Sequence, residues 1–417
     1  MLAPLASSDP DEFFAASTIE DPYPFFSRLR ADRPISRIAE TGVHIVASQS
    51  LIEDALAREI DFSANLTGVL ARETGGQPTV LELPYSAGTS VIATADEPSH
   101  AVHRKLSRPH FSAERLAALE PLLYDWAAEA VDPWIAAGGG DFVPVSEAVP
   151  VRVVAHLLGL PAEDATQFRA WAMMGGDILA GGIEVENLVR LARETSGMAQ
   201  YLEQHLTLAS SRPDGSGPPT LLKTLALGVD EGQISREEAI GIAIVMFGAG
   251  GESTSALIGS AMRLLAEHPE MAEQLRAEPE RISRFVEETV RLEPPFKFHY
   301  RAVQRKCELG GYELKPGDRI MLLWSAANRD PALFTDPNTI RLDRQYPKNH
   351  LGFGRGAHFC IGAPLARLEA RTVIECALRN TRSINTIPGQ PAAHAASVFI
   401  RRLAKLPLRA NASTLAR

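Results

Sequence analysis

Cysteine is scarce in this chain. Three occur in 417 residues, Cys307, Cys360 and Cys376, at spacings that no disulfide framework uses, which excludes a small stapled secreted fold and predicts a reducing compartment, the cytoplasm. The start lacks the basic stretch and apolar core of a signal peptide. The longest apolar run, residues 239–249, falls short of the roughly 20 residues that cross a bilayer, so no membrane anchor is expected. A basic excess is missing too: the formal net charge of −9 speaks against a general nucleic-acid partner. No internal repeat or linker divides the sequence, and 1–417 reads as a single domain.

What is present suffices for a large core, with 45% hydrophobic and 22% charged residues. The helical period runs through 113–135, 150–158 and 186–208. Strand-like material is short: 42–46, and a small hairpin over 307–318 that leads into 319–323. A mainly α fold with a minor β region follows. The most telling helix starts where Ser235 and Glu238 form a Ser-x-x-Glu capping box, and it runs to His268 before Pro269. Such a helix is roughly 50 Å long, enough to cross the molecule. Gly248, Gly250 and Gly251 lie inside it, each costing about 1 kcal/mol relative to alanine in a helix interior. Close packing against a neighbour explains one glycine. Three within four residues, followed by Glu252-Ser253-Thr254, predict a loosened turn beside a bulky ligand.

Chemistry gathers in Leu351-Gly-Phe-Gly-Arg-Gly-Ala-His-Phe-Cys360-Ile-Gly362, where a glycine-rich loop delivers one cysteine to the mouth of a helix whose apolar stripe begins at Ile361, Leu365 and Leu368. Amide groups at a helix start favour the anionic sulfur. A buried structural thiol is one reading, and zinc is another, although His358 and Cys360 lack the partners of a tetrahedral site. The stretch from Phe353 to Gly362 resembles the haem-binding signature of the cytochrome P-450 family, Phe-Gly-x-Gly-x-His-x-Cys-x-Gly. The resemblance implies haem b with Cys360 as the thiolate ligand that favours O–O cleavage, Phe353 and Gly362 beside it, and a long central helix over the buried cofactor.

Further segments match the same family in order. Ala249-Gly-Gly-Glu-Ser-Thr254 resembles its oxygen-binding motif, which makes Glu252 the acid of a proton-delivery pair, puts Ser253 at the usual threonine position, and adds Thr254 to the catalytic group. Serine keeps the hydroxyl but lacks the methyl that stiffens the threonine rotamer. Glu288-Thr-Val-Arg291 resembles the family's structural Glu-x-x-Arg pair, with Arg344 as the implied third partner. For the haem propionates the resemblance implies His100 and Arg104, one turn apart, together with Arg301 and His350.

The resemblance therefore implies a soluble bacterial haem-thiolate monooxygenase that takes dioxygen, a hydrophobic small molecule and electrons from a ferredoxin with its NAD(P)H-dependent reductase. A peroxide-driven peroxygenase, a non-oxidative haem-thiolate isomerase or dehydratase, and a haem-based sensor without turnover are the alternatives. Val245, Gly248, Ala249, Phe296, Phe298, Val398 and Phe399 are positioned like the family's substrate contacts, as is the 81–92 segment. They predict a compact apolar substrate. If 296–298 is extended, Phe296 and Phe298 share one face and Lys297 points outward to solvent. Lys105, Arg108, Arg355 and Arg367 are expected to form a positive ferredoxin-docking patch near the cysteine.

Overall fold

The capping box at Ser235 closes as the sequence predicts: Ser235 Oγ accepts from the Glu238 amide at 3.1 Å, and the Glu238 carboxylate accepts from the Ser235 amide at 2.7 Å. In this computed structural model, which describes all residues except 1–6, 9, 39–40, 74, 84–89, 183–184, 212–218 and 414–417, the mainly helical architecture with a minor β region is as expected. The helices that frame the central cavity are α1 (Ser99–Ser107), α2 (Ala113–Ala136), α3 (Val143–Leu158), α4 (Ala165–Ile178), α5 (Arg236–Met246), α6 (Ser253–Glu267), α7 (Ile282–Leu292) and α8 (Ala363–Asn380).

Between α5 and α6 the chain stays helical but widens into a π turn over Phe247–Glu252. Here the two explanations of the glycines turn out to act together. A β-carbon on Gly251 would stand 2.6 Å from Ala172 Cβ of α4, one on Gly250 would stand 2.9 Å from Val154 Cγ2 of α3, and one on Gly248 would stand 3.4 Å from Gly175 Cα. The missing side chains admit two neighbouring helices, and the same residues make the wide turn cheap. Taken whole, 236–267 is long and apolar enough to cross a bilayer, but 50% of its most apolar window is buried against the rest of the protein.

The largest sheet of the β region is mixed and six-stranded, made of β1 (Ser7–Ser8), β2 (Ile35–Ile38), β3 (Val43–Val46), β4 (Phe62–Ser63), β5 (His299–Val303) and β6 (Arg319–Leu322) in the order β1-β2-β3-β6-β5-β4, and among the described residues one three-stranded and three two-stranded sheets accompany it. Strand alternation on β5 turns Tyr300 to the interior, where its hydroxyl accepts from the Leu70 amide at 3.0 Å. It turns His299 and Arg301 the other way, toward the cavity. On α7, Arg291 donates to both Glu288 oxygens, at 2.7 and 2.8 Å, and Arg344 donates to the same carboxylate at 2.9 Å. The remaining Arg291 hydrogens reach the carbonyls of Asn328, Pro337 and Thr339.

The expectation for Lys297 is overturned. The chain bends at 295 and 297, which breaks strand alternation, and residues 295–297 are backed by the returning 399–401 segment through Lys297 N–Phe399 O at 2.8 Å and Arg401 N–Pro295 O at 2.7 Å. Lys297 is 2% exposed and donates to the Ser397 carbonyl at 2.8 Å. Burial, aided by the nearby Arg401 guanidinium, pulls its amine from 10.5 down to about 7. Glu293 does not rescue its charge, because that carboxylate already accepts from Arg401 at 2.8 Å and pairs with Arg263 at 3.2 Å.

A lysine whose pKa is lower folded than unfolded binds more protons in the unfolded chain between the two values, so stability rises with pH across that window, by up to about 1.4 kcal/mol per pH unit for one group. Lys297→Met lacks this term. The variant is expected to be more stable than the parent near pH 7, with the gap shrinking as pH rises toward 10. Denaturation midpoints of both proteins across pH 7–10 check this, and a gap that stays constant counts against a buried neutral lysine.

Candidate active site

A cavity of about 220 Å³ lies between the π turn and the cysteine loop. Its floor is Cys360. The loop beneath it is closed by Gly354 N–Leu351 O at 2.8 Å and Cys360 N–Phe353 O at 2.9 Å, with Gly354 and Gly356 in the left-handed region at φ 69° and 75°. These bonds turn the sulfur upward at the entrance of α8. Burial raises the thiol above its ordinary pKa, and the amides of Gly362 and Ala363 together with Arg367 and Arg104 act against that rise. Phe353 lines the cavity beside the sulfur with the Arg367 guanidinium 4.4 Å from its ring centre. Gly362 lies beside the sulfur, where a β-carbon would stand in ordinary contact with Sγ at 3.9 Å.

Two neighbouring carboxylates on α7 hold this loop. Glu288 belongs to the arginine network described above. Glu287 accepts from His350 at 2.9 Å and from Arg367 at 3.1 Å, which keeps its pKa below the ordinary carboxylate value despite burial. His350 was expected at a propionate, and its position corrects that: it is buried, Nδ1 accepts from the Gly352 amide at 3.2 Å, and it does not line the cavity. His358 takes the rim instead. It stacks on His100 with ring centres 4.0 Å apart, and both line an adjoining cavity of about 400 Å³ with Arg301.

The rim fits a group carrying two carboxylates. His100 Nε2 and His358 Nδ1 are buried and have no partner among the described residues, a costly state that an acceptor would relieve. Arg104 and Arg301 stand beside them, each spending one donor on a backbone carbonyl, Phe359 O at 2.9 Å and Tyr300 O at 2.8 Å. Burial lowers the Arg301 pKa to about 10. Among the described residues no cluster of three His, Cys, Asp or Glu side chains could hold a metal. A metal carried in a planar acidic cofactor above Cys360 suits the donor set; a bare ion does not.

On the opposite wall Ala249, Ser253 and Thr254 line the cavity, and the Ser253 hydroxyl donates to the Ala249 carbonyl one turn back. Glu252 faces away. Its buried carboxylate accepts from the Gly176 amide of α4 at 2.6 Å and from Arg402 Nε at 3.0 Å, and burial, outweighing Arg402, pushes its pKa up to about 7. Gly176 must lack a side chain, because a β-carbon would collide with this carboxylate. Nothing in the sequence points to Arg402, which lies 150 residues away.

Of the expected substrate contacts, Val245, Ala249 and Phe296 line the cavity and four do not. Gly248 backs onto Gly175. Phe298 and Val398 are buried in the core, and Phe399 stacks behind Phe296 at 4.8 Å. The bend at Lys297 explains Phe298, since the two phenylalanines no longer share a face. Ile92, at the end of the expected 81–92 segment, lines the cavity, and Val154, Leu157, Met246 and His299 join the wall unforeseen. Within the 81–92 segment, 84–89 lie outside the described residues.

Comparison with known proteins agrees with this geometry. The family model described as Cytochrome P450 matches residues 195–385. Cytochrome P450 144 of Mycobacterium tuberculosis is 37% identical over 411 residues, covering 96% of this chain and 92% of the relative. Cytochrome P450 monooxygenase PikC of Streptomyces venezuelae is 30% identical, covering 93% and 91%. The crystal structure of CYP109E1 from Bacillus megaterium, in complex with testosterone, superposes with a TM-score of 0.83 at 27% identity over 95% of this chain and 100% of that one. Likeness this strong along nearly the whole of each partner means that the chain belongs to the cytochrome P450 family, oxidoreductases built around a thiolate-ligated haem b.

Proposed function

We propose that the protein is a monooxygenase that places one atom of dioxygen into a compact, neutral, hydrophobic substrate, using electrons from a ferredoxin and its NAD(P)H-dependent reductase in the cytoplasm. The observation that carries this is a single cavity with the Cys360 sulfur at its floor, the Ser253 and Thr254 hydroxyls in its opposite wall, and apolar side chains between. Haem b supplies dioxygen activation when bound, held by Cys360 at the iron, by Phe353 and Gly362 beside the sulfur, and by His100, Arg104, Arg301 and His358 at the propionates. Ser253 keeps a hydroxyl within the cavity. Glu252 can carry a proton at neutral pH because burial holds its pKa near 7. Val245, Ala249 and Phe296 exclude water and orient the substrate. The absence of charge on those walls supports a neutral skeleton, as does the steroid held by CYP109E1. Three unpaired cysteines support a reducing setting.

Electron supply rests on a smaller patch than the sequence suggested. Arg355 is paired with Glu53 and Arg367 with Glu287, which leaves Lys105 and Arg108 as exposed cations near the sulfur side. Screening shortens the reach of such charges from about 10 Å at 0.1 M salt to about 3 Å at 1 M. Reduction by an acidic ferredoxin is therefore expected to slow with salt and on reversal of Lys105 and Arg108 to glutamate. Stopped-flow rates indifferent to both would remove the docking assignment.

The reduced, carbon monoxide-bound protein is expected to show the long-wavelength Soret band of thiolate ligation. Retention of that band in Cys360→His would reject Cys360 as the ligand. Ser253→Ala is expected to keep haem and substrate affinity but to divert reducing equivalents to peroxide or water, whereas Glu252→Gln should slow turnover about 10²-fold or more if it removes a general acid. Product formed per NAD(P)H consumed measures the first, and equal yields in variant and parent would refute it.

A further inference from the structure

Beside Phe296 a polar side chain, His299, interrupts the apolar lining, and its chemistry is fixed by a neighbour. Trp324 Nε1 donates to His299 Nδ1 at 2.7 Å. Indole nitrogen only donates, so Nδ1 must accept and the imidazole proton must sit on Nε2. The ring lines the main cavity, and among the described residues its hydrogen-bond partner is Trp324, with no bond made by Nε2. Its companions are aromatic: Phe296 lies edge-on at 5.4 Å and Phe399 at 5.8 Å. Although His299 and Arg301 share one face of β5, the adjoining rim cavity is lined by His100, Arg301 and His358 and not by His299. The rim thus has donors of its own, while His299 lines the main cavity beside Phe296 and within electrostatic reach of His358.

We infer that His299 is the polar anchor of the substrate, a neutral N–H donor in an apolar pocket that selects hydrophobic molecules bearing a neutral acceptor oxygen, such as a ketone, ester or ether. The inference rests on the hydrophobic-substrate reading above and deepens it. Charge supports it independently: burial, reinforced by Arg301, pulls the His299 pKa down to about 3. A ring held neutral in this way offers no charge to a substrate carboxylate. A fixed donor in a dry pocket discriminates well, because an apolar isostere leaves the N–H unpaired.

The test uses the haem-loaded protein and iron-coordinating probes that bind without knowledge of the natural substrate: 1-phenylimidazoles carrying an acetyl group at the 3- or 4-position, each paired with its isopropyl isostere. The shift of the Soret band gives a Kd for each. For at least one position, the ratio of isopropyl to acetyl Kd is expected to fall about 3- to 10-fold in His299→Leu. It should fall less in Trp324→Phe, which leaves the imidazole in place but frees its tautomer. Haem content and midpoint potential should stay at parental values. Ratios unchanged in both variants at both positions would overturn the inference. So would unchanged ratios with a shifted midpoint potential, which would give the donor to the porphyrin carboxylates. If the isopropyl probes do not bind even the parent, the hydrophobic-pocket reading itself fails, and that result is distinct from loss of acetyl discrimination.

Discussion

Everything in this active site hangs on two adjacent carboxylates. Glu287 and Glu288 follow one another on α7 and so leave the helix in different directions, one toward the cysteine loop and one toward the irregular segment before it. Glu287 clamps His350 and Arg367, which flank Cys360 in sequence, and Glu288 clamps Arg291 and Arg344. Removing one member of a buried, multiply bonded ion pair typically costs about 3–5 kcal/mol because the remaining charge is stranded. The loop that carries the sulfur is therefore held from α7, through His350 before it and Arg367 after it.

The cavity built on that support divides into three chemical districts. One rim carries cations and imidazoles with spare donors. The joint of the π turn and α6 carries hydroxyls and, behind them, a carboxyl poised near neutrality. Between them lies an aliphatic and aromatic wall broken by one histidine. Each district comes from a different part of the chain: α1 with β5, the α5–α6 joint, and α3 with the 295–299 bend. The helical frame lets these parts meet, since the missing side chains of the π turn admit α3 and α4 there.

Legibility in the sequence followed the range of the interactions. The capping box, the loosened turn and the cysteine loop are each decided within a dozen residues; spacing exposes the first two, and the resemblance of residues 353–362 to a family signature gives the third its meaning. The helix-rich class was readable for the same reason. What escaped depends on tertiary neighbours: Arg402 reaching Glu252, His350 captured by Glu287, and Lys297 sealed beneath the returning 399–401 segment. Lys297 is instructive because the alternation argument was sound for an extended strand. Where the chain bends, a distant segment pairs with it, and no local pattern encodes that pairing. His299 went unnoticed for a similar reason, since its tautomer is fixed by a tryptophan 25 positions on.

The glycine-backed joint also limits how this enzyme can change. Ala172, Val154, Gly175 and Gly176 sit so close to the π turn that a single added methyl group on either side meets backbone or side chain. Drift in substrate scope, whether by natural variation or in a directed library, is thereby channelled to the opposite wall, where Ile92, Leu157, Phe296 and His299 border open volume. Variants with new selectivity should accumulate at those four positions, while the joint stays silent under selection for anything but its shape.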